Sequence, residues 1–171
     1  VGDLVASEDN GKGAFEPLPE FLATRLFGSY DLVLHYDLGR GLRVYAGNDP
    51  QRFTRMNALL DRTLGGRPEN VLDPGQSFRL VDRLISLLLV GDDAAARKVA
   101  ILFDYSDFYL SAEDRPSAHL AMLLNWARSP VIRRVNIVFV LMTESLARLN
   151  GVIVQNAYTE EVAVPMPALN D

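Results

Sequence analysis

The amino-acid sequence predicts a three-layer α/β domain with a mostly parallel sheet. Two strand-length runs, Val99–Phe103 and Val135–Leu141, are almost continuously apolar, as strands covered on both faces must be. Stretches of helical spacing lie before and between them: Phe53, Met56, Leu59 and Leu60, then Leu80 to Leu89, then Leu120, Leu123, Leu124 and Trp126. Strand, helix and strand in that order require βαβ crossovers, and so parallel neighbours. At 171 residues the chain has the length of one such domain. A domain of this size buries roughly two-thirds of its unfolded surface and needs no metal or disulfide to hold it.

The elements follow in order. Residues 1–19 mix Gly, Asp, Asn, Glu and Pro without periodicity and read as a flexible lead-in; residues 20–171 read as one domain. Because the chain opens on Val1 rather than methionine, it is expected to be a piece of something larger. Phe21, Leu22 and Leu26 predict a short helix stopped by Gly28. Asp31–Asp37 and Leu42–Tyr45 alternate on either side of Gly39-Arg40-Gly41, which predicts an N-terminal β-hairpin. Asp49-Pro50 is a capping carboxylate followed by a first-turn proline, and Gly65-Gly66 closes the helix it opens. Arg67–Gly75 reads as a loop, Ser77 as the cap of the next helix and Gly91-Asp92-Asp93 as its end. After the first apolar strand, Ser111–Arg115 forms a loop and Pro116 begins a helix. After the second come a helix around Ser145–Leu149 and a last short strand, Val162–Val164.

Composition narrows the function. Hydrophobic residues make up 49% and charged residues 23%, with a net charge of −5, so nucleic acid is not the expected main partner. A local basic patch stays compatible with that total. Without cysteine there are no disulfides and no thiolate metal sites. No segment is long and apolar enough to cross a bilayer, and no basic-then-apolar leader opens the chain.

Chemistry in such sheets sits at the carboxyl ends of the strands. Asp104 follows the first apolar run and Thr143 the second. An acid there can hold magnesium through its water shell, and a hydroxyl on the next strand can meet a γ-phosphate. Either residue can equally cap the loop that follows it. Asp104, Asp107, Glu113 and Asp114 form an acidic run that reads as a solvated loop or a divalent-ion site. Arg128, Arg133, Arg134 and Arg148 read as surface arginines or as contacts to an acidic partner. His35 lies in a strand and reads as a packed or edge histidine; His119 opens a helix and reads as solvated. Phe103, Tyr105, Phe108 and Tyr109 read as core, with any exposed member marking a protein-binding face.

These features together resemble the large subdomain of AAA+ ATPases, a P-loop-NTPase-type fold. Val99–Tyr105 is similar to a Walker B strand and Asn136–Thr143 to a sensor-1 strand. Glu160–Pro167 is similar to the passage toward the helical lid, so the likeness spans Phe78–Pro167. The hairpin Tyr30–Tyr45 resembles the start of a degenerate AAA-like domain that some bacterial AAA+ proteins carry ahead of an active one. The resemblance gives Asp104 and Thr143 Walker B-like and sensor-1-like places, working or relic, with Asp104 as the metal candidate. It also implies ATP and magnesium for the parent protein, a cytoplasmic location, and protein partners that include the rest of its own chain and a homo-oligomer.

The departures set the functional expectation. A phosphate loop needs Gly-x-x-x-x-Gly-Lys-Ser/Thr, and no such string occurs. Gly39-Arg40-Gly41 lacks the lysine, and Gly11-Lys12-Gly13 lacks both the preceding strand and the hydroxyl. Tyr105 stands where a Walker B glutamate would, and Gln155-Asn156-Ala157-Tyr158 holds no arginine finger. The expectation is therefore a domain that neither hydrolyses ATP nor binds a cofactor itself, and that regulates or assembles an active module in its parent. The alternative is a small-molecule enzyme or ligand-binding domain using Asp104, Thr143 and Glu144. A nuclease-type use of the acidic run lacks the basic surface it would need.

Overall fold

The computed structural model describes residues 4–7, 14–66, 71–113 and 117–164. Six strands and five helices follow one another as β1 (Leu4–Ser7), β2 (Ala14–Pro17), α1 (Leu18–Phe21), β3 (Leu32–Asp37), β4 (Gly41–Val44), α2 (Pro50–Leu64), α3 (Pro74–Val90), β5 (Lys98–Phe103), α4 (Ala118–Arg128), β6 (Asn136–Leu141) and α5 (Gly151–Val154). The main sheet has the order β4-β3-β5-β6. β3, β5 and β6 run parallel, and β4 returns antiparallel to β3 as the expected hairpin. The mostly parallel α/β architecture is the one the apolar runs predict. Within the lead-in, β1 pairs antiparallel with β2, a ladder that periodicity did not signal.

Local chemistry explains the helix ends. Asp49 accepts the Gln51 and Arg52 N–H groups, Pro50 opens α2, and Gly65 closes it at φ +76°. The start of α3 differs from expectation: its cap is Asp73, which accepts Gln76 N–H at 2.8 Å, and Pro74 opens the first turn. Ser77 is buried inside that turn and donates to the Val71 carbonyl. Asp73-Pro74 is the same device as Asp49-Pro50, so the helix begins one turn earlier. α4 is capped by Ser117, which accepts from Leu120 N–H at 3.3 Å.

Strand alternation sorts the core into two faces. Tyr36, Phe103 and Phe139 share the face packed by α3 and α4. Phe78 of α3 stacks on Phe103 at 4.8 Å and on Trp126 of α4 at 5.5 Å, and Trp126 stacks on Phe139 at 5.2 Å. The Trp126 indole N–H reaches Asp82 at 2.7 Å, so the ring's polar edge is satisfied. Val33, His35, Leu102 and Asp104 occupy the other face, on the side of α1 and of the wide turn Leu22–Leu26 that continues it. Arg52 of α2 ties that turn down: its guanidinium is buried and donates to the carbonyls of Ala23, Ala46 and Phe27. Phe27 O also accepts Tyr30 N–H, so Arg52 adds a second donor there.

Three sequence expectations change. β3 alternates in sequence, yet Leu32 through Tyr36 are all buried, because β3 is a central strand flanked by β4 and β5. β6 was expected to be covered on both faces; it is an edge strand, and Ile137 through Leu141 are each only half-buried. Val162–Val164 forms no strand; it runs without ladder bonds, and Val162 is 82% exposed. Among the described residues no helix is long and apolar enough to cross a membrane.

Candidate functional site at the carboxyl edge of the sheet

The parallel register of β3 and β5 sets His35 beside Leu102, so Asp104, two residues on, reaches the same face. His35 Nε2 lies 3.3 Å from Asp104 Oδ2, and His35 Nδ1 lies 3.7 Å from Asp37 Oδ2. The imidazole is buried, and its Nδ1 makes no hydrogen bond. The Tyr45 ring lies 5.0 Å away.

Asp37 holds the outer half of this network. Its Oδ2 accepts from Arg43 Nη1 at 2.8 Å, and its Oδ1 accepts the Gly39 and Arg40 N–H groups. Burial alone would raise the Asp37 carboxyl. The Arg43 hydrogen bond and charge, the Arg40 N–H and His35 outweigh burial and hold it below its usual value. This arrangement bears on the Gly39-Arg40-Gly41 turn. The backbone N–H groups that would face a phosphate are already bound to a carboxylate.

Asp104 is similarly committed. One carboxylate oxygen faces His35 and the other accepts Tyr105 N–H at 3.0 Å. Its carbonyl accepts from the Tyr109 hydroxyl, whose own ionisation burial pushes far up. Thr143 closes a local turn: its hydroxyl donates to Ser145 O and accepts Ser145 N–H. Asp104 and Thr143 do border one groove of about 1250 Å³, whose walls include Leu22, Phe27, Val138 and Val140. The strand-end pairing expected from sequence is thus present in space, while both side chains bond within the fold.

The remaining candidates separate. Asp107 is buried and lies 3.6 Å from Arg148, while Glu113 is exposed; Asp114 lies outside the described residues. Among the described residues no group of three or more His, Asp or Glu side chains is placed to hold a metal ion. His119, expected to be solvated, is half-buried; it bonds the Tyr109 carbonyl at 2.6 Å and packs on Phe78. Tyr105 and Phe108 stack at 5.7 Å, and they are 39% and 62% exposed. Tyr105 adopts φ +49°, a left-handed conformation that costs a non-glycine residue of order 1–3 kcal/mol. Gly11-Lys12-Gly13 lies outside the described residues.

No strand-to-helix connection described at the carboxyl edge is glycine-rich. After β5 the chain runs Asp104-Tyr105-Ser106-Asp107-Phe108, and after β6 it runs Met142-Thr143-Glu144-Ser145. Sequence reading found Asp104 but not its partner, because His35 meets it only through strand register.

A protein of Vibrio campbellii described as "UPF0231 protein" is 29% identical over 100 residues, covering 53% of this chain and 76% of that protein. No solved structure matches. The family model described as "AAA+ chaperone, N-terminal Rossmann-like domain" matches residues 1–165. A match over nearly the whole chain, on a mostly parallel α/β sheet with a hairpin at its start, establishes that the chain belongs to this family of N-terminal Rossmann-like domains of AAA+ chaperones.

Proposed function

We propose that this domain is a non-catalytic module that regulates or assembles an active ATPase module elsewhere in its parent chain. The supporting observation is the state of the carboxyl edge. Asp37 occupies the backbone N–H groups of the only glycine turn there among the described residues, and His35 engages Asp104. A nucleotide site needs free N–H groups for phosphate and a free acid for hydrated magnesium. Here both kinds of group are used to hold β3, β4 and β5 together. The domain binds neither ATP nor magnesium in this reading, and both belong to the neighbouring module. Its partners are proteins, beginning with that module.

ATP turnover by the parent protein, compared with a version lacking residues 1–165, tests the proposal. The account expects altered turnover or assembly on deletion, and unchanged turnover in the full protein carrying Asp104→Asn. A loss of turnover from Asp104→Asn with the fold intact would assign chemistry to this domain and end the proposal.

A further inference from the structure

The amino edge of the sheet carries charge that the fold does not neutralise. A pocket of about 530 Å³ opens there between α2, residues 28–31 ahead of β3, and Arg97 ahead of β5. Four of its lining residues are arginines, Arg52, Arg55, Arg62 and Arg97, against one carboxylate, Asp31. That balance is the reverse of the whole chain's, whose net charge is −5. The helical repeat explains the cluster: residues 52, 55, 59 and 62 recur at steps of three and four and share one face of α2. Met56 and Leu59 are buried beneath, and Arg55 and Arg62 stand exposed above them.

The nearby carboxylates leave most of this charge unanswered. Arg97 is held by Asp93 at 2.6 Å, and Asp31 Oδ2 accepts Lys98 N–H at 2.9 Å. Among the described residues the guanidinium groups of Arg55 and Arg62 make no ion pair and no hydrogen bond. Arg52 supplies the second, independent observation. It is only 8% exposed, and its partners are backbone carbonyls, with no carboxylate in ion-pair contact among the described residues. Its Nε has no hydrogen-bond partner. The charge of Asp49 favours the guanidinium from a distance and that of Arg55 opposes it. A guanidinium does not give up its proton, so Arg52 is a buried cation without a counter-ion, a costly state.

We propose that this pocket docks an acidic segment of a partner protein, whose carboxylates face Arg55 and Arg62 and whose charge offsets that of Arg52. Charge complementarity sets the sign of the occupant, and spacing sets its kind. Arg55 and Arg62 lie seven residues apart, two helical turns or about 10 Å along α2. Carboxylates strung along a peptide span that distance, and each planar guanidinium can take one as a fork. A compact phosphate is better matched by N–H donors that converge on one point, as at a glycine-rich turn. The pocket lies at the opposite edge of the sheet from His35 and Asp104, so the proposal does not depend on the domain being non-catalytic.

Fluorescence anisotropy of a dye-labelled hexaglutamate peptide, titrated with the protein at low salt, tests it. Binding is expected with a Kd of about 0.1–1 mM, weakening as salt rises. Arg55→Glu and Arg62→Glu, both at exposed positions, should each weaken it roughly three- to tenfold. Arg40→Glu makes the same charge change in the exposed turn between β3 and β4, at the opposite edge, and should leave the affinity unchanged. No binding at millimolar protein overturns the proposal, and so does binding that either α2 variant leaves unchanged. Equal weakening by Arg40→Glu also overturns it, since bulk charge would then explain the binding. Displacement of the peptide by inorganic tripolyphosphate or by oligothymidylate, with at least the peptide's own affinity, would make the pocket a phosphate site and end the proposal.

Discussion

His35 and Asp104 meet across the boundary between two parallel strands, with Nε2 of the buried imidazole 3.3 Å from Oδ2 of the carboxylate. Weakening this contact leaves a buried polar atom, His35 Nε2 or Asp104 Oδ2, short of its partner, which costs more than the pair contributes. His35→Ala and Asp104→Asn should each lose about 1–3 kcal/mol of unfolding free energy. Urea titration followed by the fluorescence of Trp126, the only tryptophan, measures this directly.

The Asp37 carboxyl is held below its unfolded value by Arg43, the Arg40 N–H and His35, against the opposing effect of burial. A depressed folded pKa stabilises at pH values above the unfolded pKa, and that stability is lost as pH falls through the folded value. The wild-type advantage over Asp37→Asn should therefore be full above about pH 5 and shrink as pH drops below about 4. Urea midpoints for both proteins from neutral to acid pH read this out. A difference constant across the range would contradict the assignment.

Arg52 places a buried guanidinium against the carbonyls of Ala23, Ala46 and Phe27. Burial lowers its pKa; Nη1 and Nη2 bond these three oxygens, while the buried Nε makes no hydrogen bond. Arg52→Met keeps much of the volume and removes the side-chain donor from all three carbonyls, of which Phe27 O keeps Tyr30 N–H. It should cost about 2–4 kcal/mol and loosen the Leu22–Leu26 turn, seen as faster amide hydrogen exchange there.

The corrected start of α3 predicts different costs for two substitutions. Asp73→Ala removes the cap and should cost about 1 kcal/mol. Ser77→Ala leaves the Asp73 cap in place and removes the hydroxyl's bonds to Val71 O and with Tyr36, and its smaller volume fits the buried site, so its cost should be less. A larger cost for Ser77→Ala would restore the later helix start.

Much of this fold is legible in the sequence because its signals are local. Asp49-Pro50 and Gly65 mark α2 by their own chemistry, and the run Val99–Phe103 announces a central strand without reference to anything distant. The errors arise where burial depends on partners far along the chain. Val135–Leu141 reads the same whether its strand is central or at an edge, since an apolar run does not count its neighbours. His35 and Asp37 make β3 look half-exposed, yet it is buried between β4 and β5, with Asp104 beside His35 Nε2 and Arg43 on Asp37. Asp104 could be read as a strand-end acid; His35, separated from it by 69 residues, could not be read as its partner. The cap at Asp73 was obscured by its place in a proline-containing loop.

The central claim is that the carboxyl edge holds the sheet together and does not bind nucleotide. Isothermal titration with ATP and ADP, with and without magnesium, tests it most directly. The account predicts no binding heat at millimolar nucleotide. Micromolar binding that Asp104→Asn abolishes in a folded protein would contradict it.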